Sequence, residues 1–323
     1  MAVIRVFGCA VAAFAFGCTS SNTATMADAS SPADAATSVD AEAPISDAAI
    51  PWAPGPTNDA SAAIVAARPY TLNVPSSYDA AQATPLVVMF HGYGSTGQVE
   101  ESYLDITATS NAEGFLYAYG EGLIDDSGSP FWNATDACCN FYGSKVDDVA
   151  YFNAIVDDIS AKYNVDPQRV FVLGHSNGAF MAHRLACDVA PRVAAIVSLA
   201  GAVWNDPSKC NPANHVAILD VHGNADQTIG YDGGSTQSGV YPSEQTTMAT
   251  WAQKNGCTGE LTATTQTLDI DPLSATTGAT YGGCPNGIDV QLWTIQGGPH
   301  IPALTKPTWG DSVWGFMSSH PKP

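Results

Sequence analysis

The chain has 323 residues, 45% of them hydrophobic, which is enough for one large α/β domain with a tail. With 11 Lys and Arg against 31 Asp and Glu the formal charge is −20, which argues against nucleic acid and anionic membrane surfaces as partners, since both need a basic patch. A weakly charged, acidic chain of this kind fits an exported protein that meets neutral substrates.

Met1 to Arg5 carry one positive charge, and Val6 to Gly17 form an apolar run ending at Cys18. The run is shorter than the roughly 20 residues a spanning helix needs, so residues 1–17 read as a signal peptide. Two cleavage readings stand. Ala15-Phe16-Gly17-Cys18 resembles a lipobox with Cys18 as the lipidated residue, although Ala takes the place of the usual Leu. Ala13-Phe14-Ala15 fits ordinary signal peptidase through its A-x-A pattern. The polar spacer directly behind Cys18 favours the lipid anchor. That spacer, residues 18–62, is acidic, rich in Ala, Ser, Thr and Pro, and free of Lys and Arg. It has too few large apolar side chains to offset ordering entropy and is expected to be a disordered linker.

Residues 63–323 read as one domain. Arg68 to Pro75 alternates like a strand, and Pro85 to Phe90 is a continuous apolar run stopped at Gly92, as in a buried parallel strand. Phe115 to Tyr119 is a further strand. Val146, Val149, Phe152, Val156 and Ile159 recur at helical spacing. Val170 to Leu173 is a strand and Asn177 to Ala190 a helix; Ala194 to Leu199 and Val216 to Val221 are two more strands. Ser243 to Lys254 reads as a helix, Asp289 to Ile295 as the last strand and Ser312 to Ser319 as a terminal helix. This alternation predicts an α/β fold with a mostly parallel central sheet and helices on both faces.

Gly174-His175-Ser176-Asn177-Gly178 fits G-x-S-x-G between a predicted strand and a predicted helix. An incidental Ser at a tight junction would leave the same letters, but this context presents a hydroxyl at the carboxyl edge of the sheet, where Ser176 can act as a nucleophile. Ser needs a base to take its proton. Of the seven His, His300 lies in a loop just after the last strand, at the same edge; His91, His175, His183, His215, His222 and His320 fall in strand ends, the turn, the helix or the C-terminus. The orienting acid should lie between Ser and His in the chain. Asp226 meets that demand, whereas its competitor Asp220 lies inside a strand. The oxyanion donors expected are the backbone N–H groups of Asn177 and of Tyr93, in His91-Gly92-Tyr93-Gly94.

Several motifs in order carry a family resemblance: Pro85 to Gly92, Trp132-Asn133 with Cys138-Cys139, Val146-Asp-Asp-Val-Ala, Val165-Asp-Pro-Gln-Arg-Val-Phe-Val, Gly174 to Cys187, and His222-Gly-Asn-Ala-Asp through Trp251 to Cys257. They resemble the bacterial polyhydroxybutyrate depolymerase-like esterases, relatives of feruloyl and acetylxylan esterases, over about residues 66–320. The resemblance implies an α/β-hydrolase fold, secreted ester hydrolysis through an acyl-enzyme, no cofactor, and the triad Ser176, Asp226 and His300. One departure is Gly298-Pro299-His300-Ile301-Pro302, where the family usually reads like G-G-H-T-W-P. The His stays, but its wall of the substrate site differs.

The expected substrates are plant cell-wall feruloyl or acetyl esters, or a hydroxyalkanoate polyester, taken by a monomer. Trp132, Trp204 and Trp309 are candidate stacking residues for such groups, with ordinary packing as the alternative for each. Cys138, Cys139, Cys187, Cys210, Cys257 and Cys284 form an even set, as in a disulfide-bonded exported chain, and no cysteine spacing suggests a metal site. Bonded neighbours need a strained ring, so Cys138 and Cys139 are each expected to pair with Cys187 or Cys210, leaving Cys257 with Cys284. Two other functions stay open: a catalytically silent surface-binding lipoprotein on the same scaffold, against which the full constellation argues, and a peptidase of the same fold, which lacks a propeller-sized accessory region.

Overall fold

Continuous apolar runs in this chain become the inner strands of one sheet. The computed structural model describes residues 59–285 and 287–322; the expected signal peptide, Cys18 and nearly all of the expected linker lie outside the described residues. The linker was expected to reach residue 62, but Asp59 already begins helix α1 (Asp59–Ala67). Then follow β1 (Tyr70–Asn73), β2 (Thr84–Phe90), α2 (Gly97–Leu104), α3 (Ile106–Glu113) and β3 (Leu116–Gly120). The short strands β4 (Leu123–Ile124) and β5 (Pro130–Phe131) make a small ladder. The middle of the domain is α4 (Asp148–Lys162), β6 (Val165–His175), α5 (Asn177–Asp188), β7 (Ala195–Leu199) and β8 (Ala217–Gly223). A second small ladder, β9 (Gly234–Ser235) with β10 (Val240–Tyr241), precedes α6 (Glu244–Lys254), β11 (Leu261–Leu268), β12 (Thr276–Tyr281), β13 (Val290–Ile295) and α7 (Thr308–Ser318).

Among the described residues the main sheet has nine strands, in the order β1-β3-β2-β6-β7-β8-β13-β12-β11. The run from β3 to β13 is parallel, while β1, β12 and β11 join antiparallel at the edges. A parallel strand buried on both faces has no polar side, which is why β2, β7 and β8 are apolar almost throughout. Along β2 the side chains alternate between two core layers. Leu86, Val88 and Phe90 meet Phe152, Ile155, Phe180 and Trp251 from α4, α5 and α6; Val87 and Met89 enter the layer of Ile106, Val313 and Phe316 from α3 and α7. Covered on both faces, this is the α/β-hydrolase architecture.

This topology gathers the ends of β2, β6, β8 and β13 at one edge, each followed by a loop or helix that carries polar groups. Helix α4 braces that edge from below. Asp147 caps its start by accepting from the Ala150 amide, and the buried Asp148 accepts from the Asn133 amide and pairs with Arg68 at 2.6 Å.

Candidate active site

Ser176 stands between β6 and α5 with φ 53° and ψ −119°, a left-handed conformation that a non-glycine residue adopts only under constraint. The constraint is close packing of strand, turn and helix. A Cβ on Gly174 would come 2.0 Å from the Gly178 carbonyl oxygen, and one on Gly178 would come 1.9 Å from that of Phe90, so both positions require glycine. The Ser176 amide donates to the Leu199 carbonyl at 2.8 Å, which holds the turn on the neighbouring strand.

His300 reaches this serine from the loop after β13. Its Nε2 lies 2.9 Å from Ser176 Oγ and its Nδ1 2.6 Å from Asp226 Oδ2. The loops that carry His300 and Asp226 are stitched together: the amides of Asn224 and Ala225 donate to the carbonyls of Ile295 and Gly298, and the Gly297 amide donates to Asn224 Oδ1. The other Asp226 oxygen, Oδ1, accepts from the Thr228 and Ile229 amides at 2.7 and 2.9 Å. Burial would push the Asp226 carboxyl up, but hydrogen bonds from His222 and His300 and the backbone amides together hold it well below the usual carboxylate range. The three residues singled out from the sequence therefore meet in one connected chain of hydrogen bonds. Asp220, the competing acid, instead lies 3.2 Å from the Nε2 of buried His183.

Tyr93 and Asn177 flank the serine. The loop after β2 is fixed by His91, whose Nδ1–H donates to the Gly92 carbonyl while Nε2 accepts from the Gly122 amide at 2.9 Å. Burial pushes the His91 pKa down, so it stays neutral in this role. The Asn177 side chain binds the Trp132 backbone on both sides, accepting from its amide at 2.7 Å and donating to its carbonyl at 3.1 Å.

That arrangement corrects the expectation for Trp132. It is fully buried, its Nε1–H donates to the His91 carbonyl at 2.8 Å, and its ring packs edge-on against Phe90, so it supports the Tyr93 loop from beneath. Trp309 is also fully buried, in the opposite core layer with α7. Trp204 lies half-buried beside Lys209 and does not line the pocket at Ser176. Bulk and loop position suggested these three residues, but loops can fold back into the core.

The pocket has a volume of about 440 Å³ and a mostly apolar lining that includes Tyr93, Tyr103, Phe141, Ile229 and Ile301. Cys138 and Cys139 also line it, bonded to each other, and Cys187 bonds Cys210. This overturns the expected pairing of each neighbour with a distant cysteine. The end of α5 brings Cys187 within 4.9 Å, Cα to Cα, of Cys210, inside bridging range, and their bond leaves Cys138 and Cys139 to each other. The expected Cys257–Cys284 bond is present.

Two contributors escaped the sequence. His175 Nδ1–H donates to Glu100 Oε1 at 2.8 Å, and its Nε2 lies 3.2 Å from the His300 carbonyl. The second Glu100 oxygen accepts from the Gly92 amide at 3.1 Å, so one buried carboxylate ties the Tyr93 loop to the Ser176 turn. The polar stretch around Glu100 shows no strong helical pattern, and a buried acid within it has no sequence signature.

Residues 144–254 match the model of the phospholipase/carboxylesterase family. The chain is 29% identical over 251 residues to feruloyl esterase B of Piromyces equi, a match covering 75% of this chain and 44% of that one, so it spans about half the length of that relative. It is 28% identical over 263 residues to feruloyl esterase D of Neurospora crassa, covering 78% of this chain and 81% of the relative. The fold matches an acetyl xylan esterase from Aspergillus awamori with a TM-score of 0.55 at 19% identity, covering 77% of this chain and 93% of the other. By its sheet, its serine turn and these likenesses, the chain has the α/β-hydrolase fold and is similar to the feruloyl and acetylxylan esterases.

Proposed function

We propose that the chain is a serine carboxylic ester hydrolase that works through an acyl-enzyme. The observation that carries this reading is the continuous hydrogen-bonded chain from Ser176 through His300 to Asp226. Ser176 Oγ attacks the ester carbonyl carbon as His300 Nε2 takes the hydroxyl proton. Asp226 holds the His300 tautomer with its lone pair toward Ser176 and stabilises the imidazolium. The backbone N–H groups of Asn177 and Tyr93 receive the oxyanion, helped by the N-terminal end of α5. His300 returns the proton to the leaving alcohol, and water, activated by the same base, then releases the acid.

An aromatic acyl group such as feruloyl suits the pocket, because Tyr93, Tyr103, Phe141 and Ile301 offer apolar surface and the volume exceeds what an acetyl group needs. The feruloyl esterases among the relatives support the same substrate class. Export with a lipid anchor at Cys18 completes the reading, supported by the disulfides among the described residues, which persist in oxidising compartments.

The test compares methyl ferulate, acetyl, butyryl and hydroxybutyrate esters with the wild type and Ser176→Ala. Turnover of the feruloyl ester that Ser176→Ala abolishes is the expected result. Turnover confined to acetyl or hydroxybutyrate esters would refute the aromatic acyl class, and an active Ser176→Ala would refute the mechanism.

A further inference from the structure

Behind Asp226 lies a second buried histidine that the triad does not use. His222, at the end of β8, is 1% exposed. Its Nε2 faces Asp226 Oδ2 at 3.1 Å and the Ile229 carbonyl at 2.8 Å; its Nδ1 faces Glu244 Oε1, on α6, at 2.6 Å. Both ring nitrogens thus face oxygen acceptors only. A neutral imidazole has a single N–H, so one lone pair would be set against a carboxylate unless a second proton lies in the site. Nε2 must carry hydrogen, since two acceptors converge on it. The second proton then sits in the short contact between Nδ1 and Glu244. Glu244 is 2% exposed, and its Oε2 meets no donor among the described residues, so a full negative charge there is poorly met.

We propose that His222 and Glu244 form a positioning pair for the triad: with one proton held between them, His222 keeps its Nε2–H on Asp226 Oδ2, so that this carboxylate stays ionised and aimed at His300. The inference rests on the triad reading above. Asp226 Oδ2 is the oxygen that also binds His300, so the two imidazoles share one acceptor. A donor on its far side makes the carboxylate a weaker base, so removing that donor strengthens its pull on the His300 proton. Other titratable groups act on the pair: Tyr231 packs edge-on against His222, Asp220 and His183 act on Glu244, and His300 lies across Asp226. On β13 the register partner of His222 is Thr294, which does not titrate. Burial alone would lower the His222 pKa, but Glu244 and Asp226 together raise it to about 10, in keeping with a retained proton.

The experiment measures kcat, KM and the pH dependence of kcat/KM for His222→Gln, Glu244→Ala and Glu244→Gln, with thermal unfolding of each. Glu244→Ala and His222→Gln should lower kcat roughly tenfold or more with KM within about twofold, and move the acid limb up by about one pH unit. Glu244→Gln should restore most of the loss, because its amide N–H can donate to a neutral Nδ1 and keep hydrogen on Nε2. Glu244→Ala with wild-type kcat and an unmoved acid limb would overturn the proposal, as would a folded Glu244→Gln no better than Glu244→Ala. If His222→Gln fails to fold, the two Glu244 variants decide. Loss of the triad reading itself would appear separately, as turnover retained in Ser176→Ala.

Discussion

Ser176 occupies a backbone conformation that costs about 1–3 kcal/mol for a residue with a Cβ, and the two flanking glycines show what compels it. Ser176→Ala keeps that conformation and every backbone hydrogen bond, so thermal unfolding should be unchanged while ester turnover falls by roughly a thousandfold or more. His300→Ala should be as damaging. His183→Ala should act on stability instead, because His183 is a buried hub that accepts from Trp251 Nε1–H at 2.9 Å and contacts Ser198 and Asp220. A folded His183→Ala as inactive as His300→Ala would reverse the assignment. Trp132→Ala, which tests burial against substrate stacking, should destabilise the fold by about 3–5 kcal/mol. A loss confined to KM at unchanged melting temperature would return Trp132 to the substrate site.

Helices α4 to α7 and the parallel strands were legible because each carries a pattern its environment enforces. Strand β2 is apolar on both faces, and α4 repeats apolar residues toward one core layer. The antiparallel pair β11 and β12 was not legible: Leu261–Leu268 is mostly Thr and Ala, and Thr262 to Thr265 are exposed, so little in it opposes a loop. Helices α2 and α3 are short, and the join at Asp105 is left-handed, which hides any long periodicity. Cys257 follows α6, and Cys284 lies between β12 and β13, closing a loop with a sequence separation of 27. Replacing both with Ala should reduce unfolding free energy by about 3 kcal/mol while kcat stays within about twofold, since neither lines the pocket. Denaturant unfolding would check it, and an unchanged midpoint would show that the loop is held without the bond.

Across the whole molecule, pH should act through the buried charges behind the site. The Asp226 pKa is depressed in the fold, so its contribution is present above the unfolded value near 4 and is lost as pH falls through the folded one. His222 is shifted up to about 10, so its contribution is complete below the unfolded value near 6.5 and is lost as pH rises through about 10. Melting temperature should therefore decline between about pH 6.5 and 10, and His222→Gln should flatten that decline. An alkaline limb of the same slope in wild type and variant would rule out His222 as its source. Fatty-acid labelling of the wild type but not of Cys18→Ser would support the anchor; an unlabelled product cut after Ala15 would favour free secretion.

By itself the sequence determined the alternation that makes a parallel sheet, the turn around Ser176, and the chain order of Ser176, Asp226 and His300. These are local: periodicity, glycine spacing and chain order all act within a few residues or along one dimension. Only tertiary structure decided that Cys138 bonds Cys139, that Trp132 and Trp309 belong to the core, and that Glu100 and Glu244 are buried against histidines. Each of those depends on which segments pack together. A tryptophan or glutamate reads the same in sequence whether it faces water, substrate or a buried ring, and only packing, through the partner it supplies, gives that residue its role.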